Sequence, residues 1–236
     1  MQNKMPEQPI YKRYAWLFIL LVALGGLFLP KLGLLLIPVM LTLMILGFTR
    51  GKLWCGHYCP HGSLFDVILP PLSRHRPLPA PLRSPVLAGV LLLWFMVMLG
   101  YRISVAFNSW GDADFLDRLG WVFVLNYLVV TLVGTALALV IKPRAWCMIC
   151  PMGGFQRLLY QLGARLGLNR NSDVRLTRSD PAICRQCRLC DQACPLELEP
   201  YDGVVQGKGF AHDLCIRCRR CSLKCPAQVL TWEHRD

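Results

Sequence analysis

The sequence predicts a membrane all-α domain of four transmembrane helices, arranged as a two-fold internal repeat and followed by a small C-terminal α+β module. Three observations lead to that class. Four apolar stretches of about 17 to 21 residues, the range that crosses a bilayer, occupy much of residues 14–141. Loops after the second and fourth stretches share one plan of Trp, paired Cys and Pro. Eight further cysteines crowd into residues 184–225, in a segment too short to build a large apolar core. A 54% hydrophobic content and a mean hydropathy of +0.40 are high for a soluble chain and agree with a membrane.

Met1 to Arg13 is polar and carries Lys4, Lys12 and Arg13 ahead of the apolar stretch Tyr14 to Pro30. No small-residue cleavage site closes that stretch and a second follows at once, so it reads as a retained span rather than a signal peptide. Leu32 to Phe48 is the second span, after a Pro30-Lys31 turn. Both lie at the short end of what crosses a bilayer, and a re-entrant hairpin is the alternative. Pro85 to Tyr101 is the third span and Trp121 to Ile141 the fourth, around a loop with Asp112, Asp114 and Asp117.

Lys and Arg near the span ends divide thirteen to three between the two sides, the three being Lys31, Arg102 and Arg118. Such an excess marks the cytoplasmic face. It puts both termini, the 49–84 loop and the C-terminal module in the cytoplasm, and the Asp-containing loop outside, as expected of a multi-pass protein of the bacterial inner membrane. The net charge of +12 then suits a lipid bilayer, and nothing in the sequence carries an RNA-binding signature or argues for nucleic acid as a partner.

Beyond the fourth span, Phe155, Leu158, Leu159, Leu162 and Leu166 recur at helical spacing, fitting an interfacial helix or an amphipathic helix packed on the module. Polar residues then suggest a linker. The expected organisation is a transmembrane domain at 1–168, with two cytoplasmic Cys-pair loops, a linker at 169–180 and the cysteine-rich module at 181–236.

The module contains Cys184-x-x-Cys187-x-x-Cys190-x-x-x-Cys194-Pro195 and Cys215-x-x-Cys218-x-x-Cys221-x-x-x-Cys225-Pro226. This is the bacterial two-cluster ferredoxin spacing, in which three close thiolates hold one iron-sulfur cube and the fourth reaches across to the other. Two [4Fe-4S] clusters follow, one on Cys184, Cys187, Cys190 and Cys225, the other on Cys215, Cys218, Cys221 and Cys194. Zinc fits less well, since its structural sites take two separated Cys pairs, and a disulfide scaffold belongs to secreted domains. The chemistry implied is electron transfer.

Four cysteines remain. Arg50-Gly-Lys-Leu-Trp54-Cys55-Gly-His-Tyr-Cys59-Pro60-His-Gly62 aligns with Lys142-Pro-Arg-Ala-Trp146-Cys147-Met-Ile-Cys150-Pro151-Met-Gly153. Spacings of three and four put both thiols of a pair on one side of a turn, and Pro after the second Cys can open the next helix. Facing one another, Cys55, Cys59, Cys147 and Cys150 could bind a third iron-sulfur centre at the bilayer surface. Zinc, reversible dithiols and inert buried Cys are the alternatives.

Paired spans ending in Trp-Cys…Cys-Pro loops, followed by two ferredoxin runs, resemble the NapH, MauN and NosR group of membrane polyferredoxins. The resemblance extends from Tyr14 to Cys225. It implies an integral electron-transfer subunit, in the NapH case a component of a quinol dehydrogenase, with the quinone pool as substrate and a redox protein as partner. The second loop departs from the spacing more usual in that group, with two residues rather than three between its cysteines.

No His falls in an expected span, which argues against haem held by paired His within the membrane, and no Cys-x-x-Cys-His occurs for c-type haem. His57 and His61 are candidate ligands or proton carriers, or surface His. Asn126 is a candidate quinone contact or an interhelical hydrogen bond. Arg185, Arg188, Arg217, Arg219, Arg220 and Lys224 lie beside ligands, where they could raise a cluster potential or dock an acidic partner. The reading is an iron-sulfur relay between the quinone pool and a redox partner. Its rivals are a metallocentre-assembly or redox-regulatory ferredoxin and a quinone-linked thiol oxidoreductase.

Overall fold

A computed structural model of the chain describes residues 10–169, 172, 174–180, 183–207 and 209–234. Both termini therefore lie outside the described residues, as do Lys4 and Arg170 of the charge count. Among the described residues, three helices are long and apolar enough to cross a membrane: α2 (Pro30–Arg50), α3 (Pro85–Phe107) and α4 (Phe115–Val140). They make this a membrane protein.

The first expected span contains α1 (Leu17–Phe28), a shorter apolar helix. At 1.5 Å per residue it reaches only about 18 Å, against roughly 30 Å of hydrocarbon. Its interior is a π-helical turn, Leu20–Leu24, and a turn at Ala15–Trp16 separates it from the preceding Ile10–Tyr14 helix. Lys12 lies in the short helix just before the interruption. Its side chain is buried, bonded to the carbonyl of Gly56 at 2.9 Å and paired with Asp66 at 2.8 Å, which holds this end of the chain among the cysteine loops.

Helix α4 is the axis on which the others pack. Pro30–Leu35, a 3-10 turn that starts α2, lies against it backbone to backbone. A Cβ at Gly33 would stand 2.3 Å from the carbonyl oxygen of Gly120, and one at Gly120 would stand 2.1 Å from that of Pro30. Val124, fully buried, fills the space left by Gly26 and Gly33. Outward side chains such as Val90, Leu93, Val97, Val129 and Leu132 are exposed, as a lipid-facing surface requires.

Helix α5 (Pro151–Arg165) settles the two readings of the amphipathic stretch by its packing. Leu159 and Gly163 are buried against Gly47 and Phe48 of α2, while Arg157 and Gln161 reach Asp213 of the C-terminal module. Leu158, Leu162 and Leu166 remain exposed.

The expected linker at 169–180 is not a plain linker. It carries β1 (Val174–Arg178), which pairs antiparallel with β2 (Leu230–His234), Leu176 facing Trp232. The physical reason is a short period-two pattern whose single inward residue, Leu176, is fully buried. Short helices at Leu189–Gln192, Pro200–Val205 and Arg220–Lys224 complete the module, with Leu196, Val204, Ile216 and Val229 buried inside.

Replacing Gly120 with Ala should force α2 and α4 apart and destabilise the protein by about 1–3 kcal/mol, the usual cost of overpacking. Gly100→Ala, whose Cβ would meet nothing within 4 Å, should not. Thermal unfolding of both variants in detergent checks the difference.

Candidate functional site

The two membrane-side cysteine loops have the same build. In each, a short helix, Leu53–His57 or Trp146–Ile149, carries the first Cys. The second Cys is extended, with ψ of 122° at Cys59 and 124° at Cys150, and the following Pro opens a new helix. The repeat extends to the charges. Lys52 and Arg144, each two residues before its Trp, are buried and cross to the opposite loop. Arg144 donates to the carbonyl of Cys55 at 2.9 Å and lies beside Gly62, while Lys52 approaches the carbonyl of Cys147 at 3.5 Å and lies beside Gly153.

Cys55, Cys59, Cys147 and Cys150 all line one cavity of about 130 Å³. The two loops thus bring them to one cavity. Gln156 Nε2 stands 3.4 Å from Cys55 Sγ, and Arg144 3.5 Å from Cys147 Sγ. Burial pushes the Cys59 thiol well up, with the neighbouring Cys55 adding to the effect, and takes Cys150 up to about 12. Four such thiols cannot ionise together without positive charge in their midst. Among the described residues, no three His, Cys, Asp or Glu side chains converge as ligands of one metal ion would. Thiols spread around a cavity, flanked by N–H donors and two buried cations, suit an iron-sulfur cube better than a single zinc.

The ferredoxin module holds two more such cavities. Cys194, Cys215, Cys218 and Cys221 line one; Cys184, Cys187, Cys190 and Cys225 line the other. Each therefore takes three thiols from one run and the fourth from the other. Burial pushes Cys215 up to about 12 and Cys190 up to about 11. The backbone N–H groups of Leu198 and Arg217 point at Cys194 Sγ and Cys215 Sγ, both at 3.4 Å. The runs share a backbone signature: Gln186, Arg188 and Glu197 in the first, and Arg217, Arg219 and Gln228 in the second, all have φ between 50° and 62°. None is Gly, so the wrapping is imposed on the chain rather than preferred by it.

The module sits directly on the membrane-side loops. A Cβ on Gly56, between Cys55 and Cys59, would stand 2.0 Å from the Ile216 carbonyl oxygen. His57 Nε2 donates to the Arg217 carbonyl at 2.9 Å, and Glu197 pairs with both Arg83 and Lys142. One apolar core, with Phe65, Trp146, Ile149, Leu196 and Ile216 at its centre, has Cys55, Cys147 and Cys150 packed on it along with Cys194 and Cys218.

Asp66 binds these parts together. It receives Arg144 through two hydrogen bonds, at 2.9 and 2.6 Å, together with Lys12 at 2.8 Å and Arg220 of the module at 2.8 Å. Burial alone would raise its pKa, but Arg144, Arg220 and Lys12 outweigh that and hold the carboxyl well below the usual range. Sequence reading missed Asp66, Gln156 and Tyr127. The basic residue two before each Trp was a visible signal for Lys52 and Arg144.

His61 is buried and hydrogen-bonded to Thr131 at 2.9 Å, so it is not a surface residue. Asn126 lines the large cavity, but its amide bonds the Val122 carbonyl of its own helix at 2.7 Å. Asp112 and Asp114 lie in an exposed loop.

Asp66→Asn should destabilise the protein by about 3–5 kcal/mol, since it strands buried cations. Labelling of Cys55 and Cys147 by a thiol reagent should become faster. Because the folded pKa is depressed, the stabilisation is present above the ordinary carboxylate range and is lost only as pH falls through the lower folded value. Acid titration of the wild type should therefore show the module staying docked through pH 4, with Asp66→Asn lacking this pH-dependent component.

Comparison with known proteins places these loops in a recognised context. A family described as a 4Fe-4S binding domain matches twice, at residues 32–79 and 123–169, each match containing one membrane-side Cys pair. Three similar chains are MJ0749 and MJ0750, both uncharacterized proteins of Methanocaldococcus jannaschii, and the methylamine utilization ferredoxin-type protein MauN of Paracoccus denitrificans. Identities are 23%, 26% and 28%, over 66%, 70% and 73% of this chain. The aligned parts span 56%, 67% and 58% of those relatives' own lengths. No solved structure matches.

Proposed function

From the premise that this chain is a polyferredoxin of the NapH and MauN type, we propose that it relays single electrons between the quinone pool in the bilayer and a redox protein partner. The observation that carries the proposal is the succession of three four-cysteine cavities. The first opens among membrane helices, the second shares its apolar core, and the third has no cysteine packed on that core.

The ligands of the two ferredoxin clusters are Cys184, Cys187, Cys190 and Cys225, and Cys215, Cys218, Cys221 and Cys194. Cys55, Cys59, Cys147 and Cys150 hold a third cluster. When bound, the clusters supply one-electron storage at potentials set by burial, charge and N–H···S bonds. The chain's own residues supply the remainder. Lys52 and Arg144 offset the charge of the membrane-side thiolates, Gln156 donates to Cys55, and Gly56 lets the second cavity approach the first. Cys187 is exposed and flanked by Arg185 and Arg188, which suits exchange with an acidic redox partner. The Lys and Arg asymmetry supports a cytoplasmic location for this whole layer, in a bacterial inner membrane.

Three cubes require about twelve irons per chain. Anaerobically purified protein should hold that number, and Cys55→Ala with Cys147→Ala should hold about eight. Cys221→Ser should change one ferredoxin signal in EPR and stop transfer to an artificial acceptor. Full iron, spectrum and activity in Cys221→Ser would sink the assignment.

A further inference from the structure

The cavity holding the four membrane-side thiols extends well beyond them. Its lining runs from Leu36 to Leu43 along α2 and from Phe123 to Val130 along α4, with Phe95 and Leu99 of α3 completing the wall. Seven residues of helix rise about 10 Å, so the space continues as an apolar slot between membrane helices. The volume of about 130 Å³ is that of the whole cavity, thiol end included.

The slot is not wholly apolar. Three of its lining residues carry a buried polar atom with no hydrogen-bond partner: Tyr127 Oη, Trp146 Nε1 and Gln156 Oε1. Such orphans cost about 1–3 kcal/mol each and call for a ligand or another explanation. They comprise a hydroxyl that can donate or accept, an indole donor and an amide acceptor. His61 adds to them. The Thr131 hydroxyl gives its proton to the Tyr127 carbonyl, so it accepts from His61 Nε2–H and leaves Nδ1 as the ring's acceptor.

We propose that this slot binds the ring of a lipid-soluble quinone, with Tyr127 Oη as the hydrogen-bond donor to a ring oxygen. A flat ring fits apolar walls, and ring oxygens in the oxidised form take donors, while hydroxyls in the reduced form also satisfy the acceptor on Gln156. The proposal rests on the relay function above and adds the place and the recognition group. Tyr127 lines the same cavity as Cys59 and Cys150, which sets the ring beside the first four-cysteine site.

The test is binding of decylubiquinone and a short-chain menaquinone analogue to purified full-length protein in detergent, read by quenching of tryptophan fluorescence. Wild type should bind at least one. Tyr127→Phe, nearly isosteric, should weaken binding about tenfold, the worth of one hydrogen bond, with iron content unchanged. Decylbenzene, lacking ring oxygens, should bind wild type and Tyr127→Phe alike, a result that general damage to the fold would not give. Leu99→Trp should fill the slot and abolish binding. Unchanged quinone binding in Tyr127→Phe overturns the proposal, and if decylubiquinol still reduces the wild-type clusters the relay function stands with its quinone site elsewhere. Wild type that neither binds quinone nor is reduced by decylubiquinol, though dithionite reduces it, overturns both.

Discussion

The buried carboxylate of Asp66 is the constraint on which the rest of this structure depends. Cations from the N-terminal helix, the second cysteine loop and the C-terminal module meet on it. Bringing those cations out of water is costly, and Asp66 is the shared counter-charge that makes it tolerable. The consequence is geometric. Arg144 can reach across to Cys55 only because its other nitrogens are held by Asp66, and the module is drawn onto Gly56 by the same carboxylate through Arg220.

The four membrane-side thiols face two unlike environments. Toward the module they meet the charged layer of Lys52, Arg144 and Asp66; toward the bilayer they meet Phe123, Leu99 and Met40. A redox centre held there would be screened from water on one side and compensated on the other.

Much of this was legible in the sequence because the ligands of a ferredoxin cube are close together along the chain, and a motif survives being read without a fold. The Cys55 and Cys147 loops were legible as a repeat, including the buried Lys52 and Arg144, although their crossing was not. Asp66 was invisible: one acid in an apolar stretch has no partner within reach in sequence, and its cations come from residues 12, 144 and 220. Hydropathy sums apolar residues and does not see the turn at Ala15–Trp16 or the tethering of Lys12, which divide the first apolar stretch. The strand Val174–Arg178 was lost in a polar segment because one buried residue, Leu176, is all that marks it.

The left-handed residues around the ferredoxin ligands bear on how the protein is made. Each of the six, at matching places in the two runs, costs about 1–2 kcal/mol relative to an ordinary backbone. Together they approach the roughly 5–15 kcal/mol that holds a whole domain folded. A newly synthesised module therefore has little reason to close before iron and sulfide arrive, and its β1 strand must wait for β2, more than fifty residues later. Biogenesis would then run from cofactor delivery to folding to docking on Asp66, so that a chain lacking its clusters stays loose at the membrane surface and open to proteolysis.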